Sequence, residues 1–140
     1  MTDSQKNSDF VWSDGLLLFA IAFTRRGEGA SLQDIISVGD YIDHSIFTGL
    51  ELRHGLSLLK RAGYIDEKNG QFLLAGAARD YWQPFKDSRK TVATLLKEMN
   101  TFLGVNPQSN PELVDDPQWE YAGLDDESVH QVYLKYIKDF

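Results

Sequence analysis

One stretch limits the possible folds more than any other: LELRHGLSLLKRAGYIDEKNGQFLLAG, residues 50–76. Leu52, Leu56 and Leu59 recur at i, i+4 and i+7, the spacing of one buried helix face. The spacing predicts a helix from about Thr48 to Ala62, stopped by Gly63. Two short strands then follow, YID and QFLLA, on either side of EKNG. Asn69-Gly70 supplies the positive φ angles that a tight hairpin turn needs.

Around this stretch the chain reads as further helices. Ser13 is positioned to cap DGLLLFAIAFTRR, which is apolar on nearly every face and so expected to be buried. Arg25 and Arg26 suit its last turn, and Gly27 its end. Ser31 caps a second helix, LQDIISVGDYI. After the hairpin, GAARDYWQPF resumes as a short helix that Pro84 disturbs. SRKTVATLLKEMNTFLG is an amphipathic helix with Val92, Leu95, Leu96, Met99, Phe102 and Leu103 on one side. A last helix starts at Asp125 or Asp126. The expected class is mainly α with a small β-hairpin wing and C-terminal helices. Residues 1–86 form one domain, and residues 87–140 a helical extension that contains an acidic connector at 104–127.

Charge is segregated. The net charge is -7. Glu112, Asp115, Asp116, Glu120, Asp125, Asp126 and Glu127 lie in the connector, which holds no Lys or Arg. These equal the whole net charge, so the remaining chain is neutral. The prolines of VNPQSNPELVDDPQWEYAGL rule against a helix there, and Trp119, Tyr121 and Leu124 are placed to pin it to the body. The longest apolar run, LLLFAIAF, is far short of the roughly 20 residues of a membrane span. The acidic N-terminus does not read as a signal peptide. With no Cys in the chain, a cytoplasmic protein is expected.

The order of helices and hairpin resembles the winged-helix family. The closest likeness is LSLLKRAGYIDEKNGQFLLAGAARDYW: a Leu-rich helix ending in Ala-Gly, a short strand, a wing, and a return into helix. The resemblance implies a regulatory, DNA-binding protein with the third helix in the major groove. It puts Arg53, His54, Ser57, Lys60 and Arg61 on or beside the recognition surface, with Leu50 facing outward, and Lys68 on the wing near a phosphate. A second reading, from a different class, is a protein-interaction module that has no DNA face and presents Leu50, Ile46 and Phe47 to a partner.

No catalytic constellation is legible, so an enzyme is not expected, nor a cofactor. The carboxylates of VDDPQWEYAGLDDE can serve as an acid–base pair or imitate a phosphate backbone, but a solvated connector explains them more simply. Asp40 with His44, and Glu51 with His54, share helix faces at metal-ligand spacings; surface polar groups at helix ends explain them as well, and no metal is expected. His130 reads as solvated. The last helix carries a stripe of Val129, Val132, Tyr133, Tyr136, Ile137 and Phe140. It must either fold back or pair with a second chain, and a homodimer through it is the expectation.

Overall fold

A computed structural model describes residues 10–106 and 111–138 of the chain. It is mainly helical with one small antiparallel hairpin, the expected class. The order is α1 (Trp12–Phe23), α2 (Leu32–Asp43), α3 (Gly49–Arg61), β1 (Ile65–Lys68), β2 (Gln71–Leu74), α4 (Gly76–Trp82), α5 (Val92–Leu103) and α6 (Asp126–Lys138).

Helix α1 is the centre of the molecule. Its residues 16–22 are at most 4% exposed, because α2, α3 and α5 all pack on it. Close approach depends on glycine on both sides. A Cβ at Gly15 would collide with the Asn100 carboxamide of α5, and one at Gly55 of α3 would collide with the Leu17 side chain.

The ends of α1 differ from the sequence reading. Ser13 lies inside the first turn, and the helix starts one residue earlier; the Asp14 carboxylate reaches back to accept the Val11 N–H at 2.9 Å. At the other end the Thr24 hydroxyl donates to the Ala20 carbonyl at 2.9 Å. Arg25 (φ 48°) and Arg26 (φ 58°) are left-handed and outside the helix. These arginines form a turn with Gly27 rather than a last helical turn.

The remaining elements start and stop where their caps dictate. Ser31 and Asp34 form a reciprocal capping box on α2, and Thr48 and Glu51 form another on α3. Helix α5 begins at Val92 with Thr91 as its cap, later than the SRKT start expected. The hairpin pairs Ile65 with Leu74 through to Lys68 with Gln71, and Asn69 (φ 55°) and Gly70 (φ 77°) make the turn. Ala30, between α1 and α2, adds a single antiparallel rung against Phe72, with N–H to carbonyl distances of 2.8 and 2.7 Å. Helix α4 passes into a 3-10 turn, Gln83–Phe85, at Pro84.

The two C-terminal helices both lie on the body. Helix α5 seats Leu95, Met99 and Leu103 against α1. Helix α6 packs on α2 and α3 and buries Val129. Among the described residues, no helix is long and apolar enough to cross a membrane.

Candidate functional site

The third helix is the element on which the sequence places a ligand-reading surface. Its inner face is as expected: Leu52, Leu56 and Leu59 are fully buried. Its outer face is not open to solvent. Residues 115–124 of the connector lie across it, and each polar group expected to read DNA there is either engaged by them or buried.

Arg53 is the clearest case. Its Nε and Nη2 donate to the two carboxylate oxygens of Asp115, each at 3.1 Å, and its Nη1 donates to the Leu124 carbonyl at 2.8 Å. Its side chain is only 13% exposed. A guanidinium held as a fork over a carboxylate, with a further donor used, has little capacity left for another ligand. Two turns on, Lys60 pairs with Glu120 at 3.2 Å and sits 5.8 Å from the centroid of the Tyr121 ring. Arg61 donates to the Gln118 carbonyl at 3.2 Å. The α6 start closes the helix N-terminus, where the Gly49 N–H donates to the Asp126 carboxylate at 2.6 Å.

His54 and Ser57 depart furthest from the sequence reading, which turned them outward. His54 Nδ1 lies 3.0 Å from Oδ1 of Asp14, which is wholly buried on α1. The same carboxylate accepts the Val11 N–H through Oδ2. The pair joins α1 to α3 through a polar contact within the core, where each member supplies what the other would otherwise lack. Trp119 of the connector then meets the imidazole edge-on, with centroids 5.4 Å apart, and is itself 8% exposed. Ser57, also fully buried, makes no hydrogen bond with its hydroxyl among the described residues. Helical projection assigns these side chains to a side of α3 but is silent on what covers that side.

The hairpin completes the surface. Phe72 on β2 meets the Tyr121 ring, with centroids 5.8 Å apart. The Tyr121 hydroxyl donates to the Glu67 carboxylate at 2.9 Å. Burial, then the Glu67 hydrogen bond and charge, raise the Tyr121 pKa far above its ordinary value of 10.0. Lys68 is exposed near the wing tip. The pinning role expected of Trp119, Tyr121 and Leu124 is the one observed. The connector carboxylates are not merely solvated, since Asp115 and Glu120 are spent on α3 cations.

The remaining candidates are placed apart. Phe47 is buried against α2 at Gly39, and Ile46 and Leu50 are half-buried. His44 is an exposed left-handed cap at the end of α2, while Glu51 caps its own helix and His54 turns to Asp14. Among the described residues, no three His, Asp or Glu side chains gather to hold a metal ion. On α6, Val129, Val132 and Tyr133 face the body of their own chain. Tyr136 is half-buried, Ile137 is 44% exposed, and Phe140 lies outside the described residues. The stripe expected to reach a second copy therefore folds back over its first two turns.

Sequence reasoning missed the Asp14–His54 pair. Asp14 was a visible signal, as an acid at the head of a helix apolar on nearly all faces, but nothing local names a partner 40 residues away. Comparison with known proteins finds no matching family model, no matching curated protein and no matching solved structure.

Proposed function

We propose that the chain is a winged-helix-like regulatory protein that works as a protein-interaction module and does not bind DNA through α3. The observation that carries this reading is the fate of Arg53: a bidentate pair with Asp115 and a bond to the Leu124 carbonyl, at 13% exposure. Support also comes from His54 and Ser57, whose burial takes two expected base-reading groups off the surface. The overall charge of -7 opposes approach to a duplex. The role is non-catalytic, and the compartment proposed is the cytoplasm, which cell fractionation would check.

The test is retention of a mixed-sequence duplex at low ionic strength, where phosphate contacts are strongest. No salt-dependent retention is expected, and retention by the wild-type chain would overturn the reading. A DNA-binding reading keeps one specific observation in its favour: carboxylates of Asp115 and Glu120 meet Arg53 and Lys60 as phosphates would. It requires that D115N/E120Q, which discharges those acids, gain retention with a log–log salt slope of about -0.9 per phosphate contacted. Pairing of two copies through α6 has Leu134 and Ile137 to work with, each 44% exposed. Light scattering on the full chain would detect it.

A further inference from the structure

The outer face of α3 and the hairpin holds a segment of the chain itself, and that segment displays the chemistry the face accepts. The face offers the His54 ring to an indole, Arg53 and Lys60 to carboxylates, and the Phe72 ring with the Glu67 carboxylate to a phenol. The segment that fills it is irregular: Asp115 first, then Trp119, Glu120 and Tyr121 together. It holds its own shape through turns, with the Trp119 N–H on the Asp116 carbonyl at 3.1 Å and the Ala122 N–H on the Trp119 carbonyl at 3.2 Å. An acidic peptide carrying a Trp, with a carboxylate four residues before it, another directly after and a Tyr next, satisfies every one of these groups.

The hold of the connector on this face is limited. Trp119 is the one residue of 111–125 that is buried; the others are half-buried or exposed. The Lys60–Glu120 pair is open to water on both sides, at 38% and 40% exposure. Exposed pairs of this kind contribute little and weaken with salt. The tether adds to these contacts, since residues joined to α6 and to the body act at a high effective concentration. A tethered occupant of modest intrinsic affinity is one that an untethered peptide of the same chemistry displaces when it binds more tightly.

Resting on the interaction-module reading, we propose that the α3–hairpin face docks an acidic, Trp-bearing peptide segment of a partner protein, and that residues 111–125 are its competitor in cis. The partner displaces the connector and takes over Arg53, Lys60 and the His54 ring.

The test uses a fluorophore-labelled synthetic peptide with the sequence of residues 111–125, followed by anisotropy against the full-length chain. Three proteins are compared: the wild type, D115N/E120Q, and W119A. Both variants weaken the competitor and leave the docking face unchanged. The peptide is expected to bind each variant at least about tenfold more tightly than it binds the wild type, because more of the face is free. A peptide with Ala in place of Trp should lose that gain, and so should W119A/R53A. Circular dichroism checks that each variant folds; if W119A does not, D115N/E120Q decides. Equal peptide affinity for the wild type and for a folded variant overturns the docking proposal and leaves the interaction-module reading standing. Salt-dependent retention of a duplex by a variant overturns both. A dimer in which one copy's connector seats on the other's α3 assigns the face to a second copy and overturns a foreign partner.

Discussion

The two sides of α3 are held by different physics. On the inner side, Leu52, Leu56 and Leu59 are fully buried against a helix that is itself buried. Removing such side chains from water is favourable by about 1.5–3 kcal/mol each and responds little to salt. On the outer side one indole is buried, Tyr121 and Leu124 are half-buried, and the polar contacts involve charged groups: Arg53 with Asp115, Lys60 with Glu120, Tyr121 with Glu67. The inner side is part of the folding unit. The docking proposed above requires that the outer side open without unfolding the body.

The largest effect should separate the two sides directly. Leu56→Ala leaves a cavity in the core and is expected to lower global stability by about 2–5 kcal/mol, independent of salt. Denaturant unfolding followed by far-UV circular dichroism measures it. A loss under about 1 kcal/mol, near the scale of a surface change, would mean that the inner face is not the structural one.

A smaller effect is expected across the Arg53–Asp115 pair. Arg53 is mostly enclosed, but Asp115 is 59% exposed, so solvent screening discounts the contact. A double-mutant cycle with Arg53→Ala and Asp115→Ala should give a coupling of about 1 kcal/mol that shrinks as salt is added. The readout is amide exchange in residues 111–125, with the inner residues of α3 unchanged. Coupling that appears equally at Leu52 and Leu56 would merge the two sides into one unit.

The smallest effect is a pH dependence. Burial, reinforced by Glu67, raises the Tyr121 pKa in the folded state above the ordinary 10.0 of the unfolded chain. The contribution of the phenol is therefore fully present below pH 10.0 and is lost as pH climbs beyond that value towards the raised folded-state pKa. The connector should loosen in that alkaline window, and Tyr121→Phe should remove the Tyr121 part of the dependence. Tyr81, raised by burial and then by Glu98, titrates in the same direction at the α4–α5 seam, so Tyr81→Phe is the control. Loosening in Tyr121→Phe that matches the wild type would place its cause elsewhere.

The inner side was legible in the sequence because its signals are local. Leucines at helical spacing, a Thr48 cap, Gly63 as a stop and Asn69-Gly70 as a turn each act within a few residues. The end of α1 was misread although it too is local: Arg25 and Arg26 suit a helix C-terminus by charge, yet their backbone is left-handed. The outer side was legible only in part. The gathering of acids in the connector and of cations on α3 was plain, and Trp119, Tyr121 and Leu124 read as pins. Which acid meets which cation was not, because Asp115 and Arg53 are 62 residues apart and only the packed chain brings them together. His54 escaped for the same reason: periodicity turned it outward, and the buried Asp14 on another helix gives it a place inside.

The most direct test of the central claim, that the connector closes the outer face of α3, is a proton–proton Overhauser measurement on the full chain at physiological ionic strength. Contacts between the Trp119 indole and the His54 imidazole, and between the Tyr121 and Phe72 rings, are expected. Their absence in a chain whose Leu52, Leu56 and Leu59 remain packed against α1 would show the face open and contradict the claim.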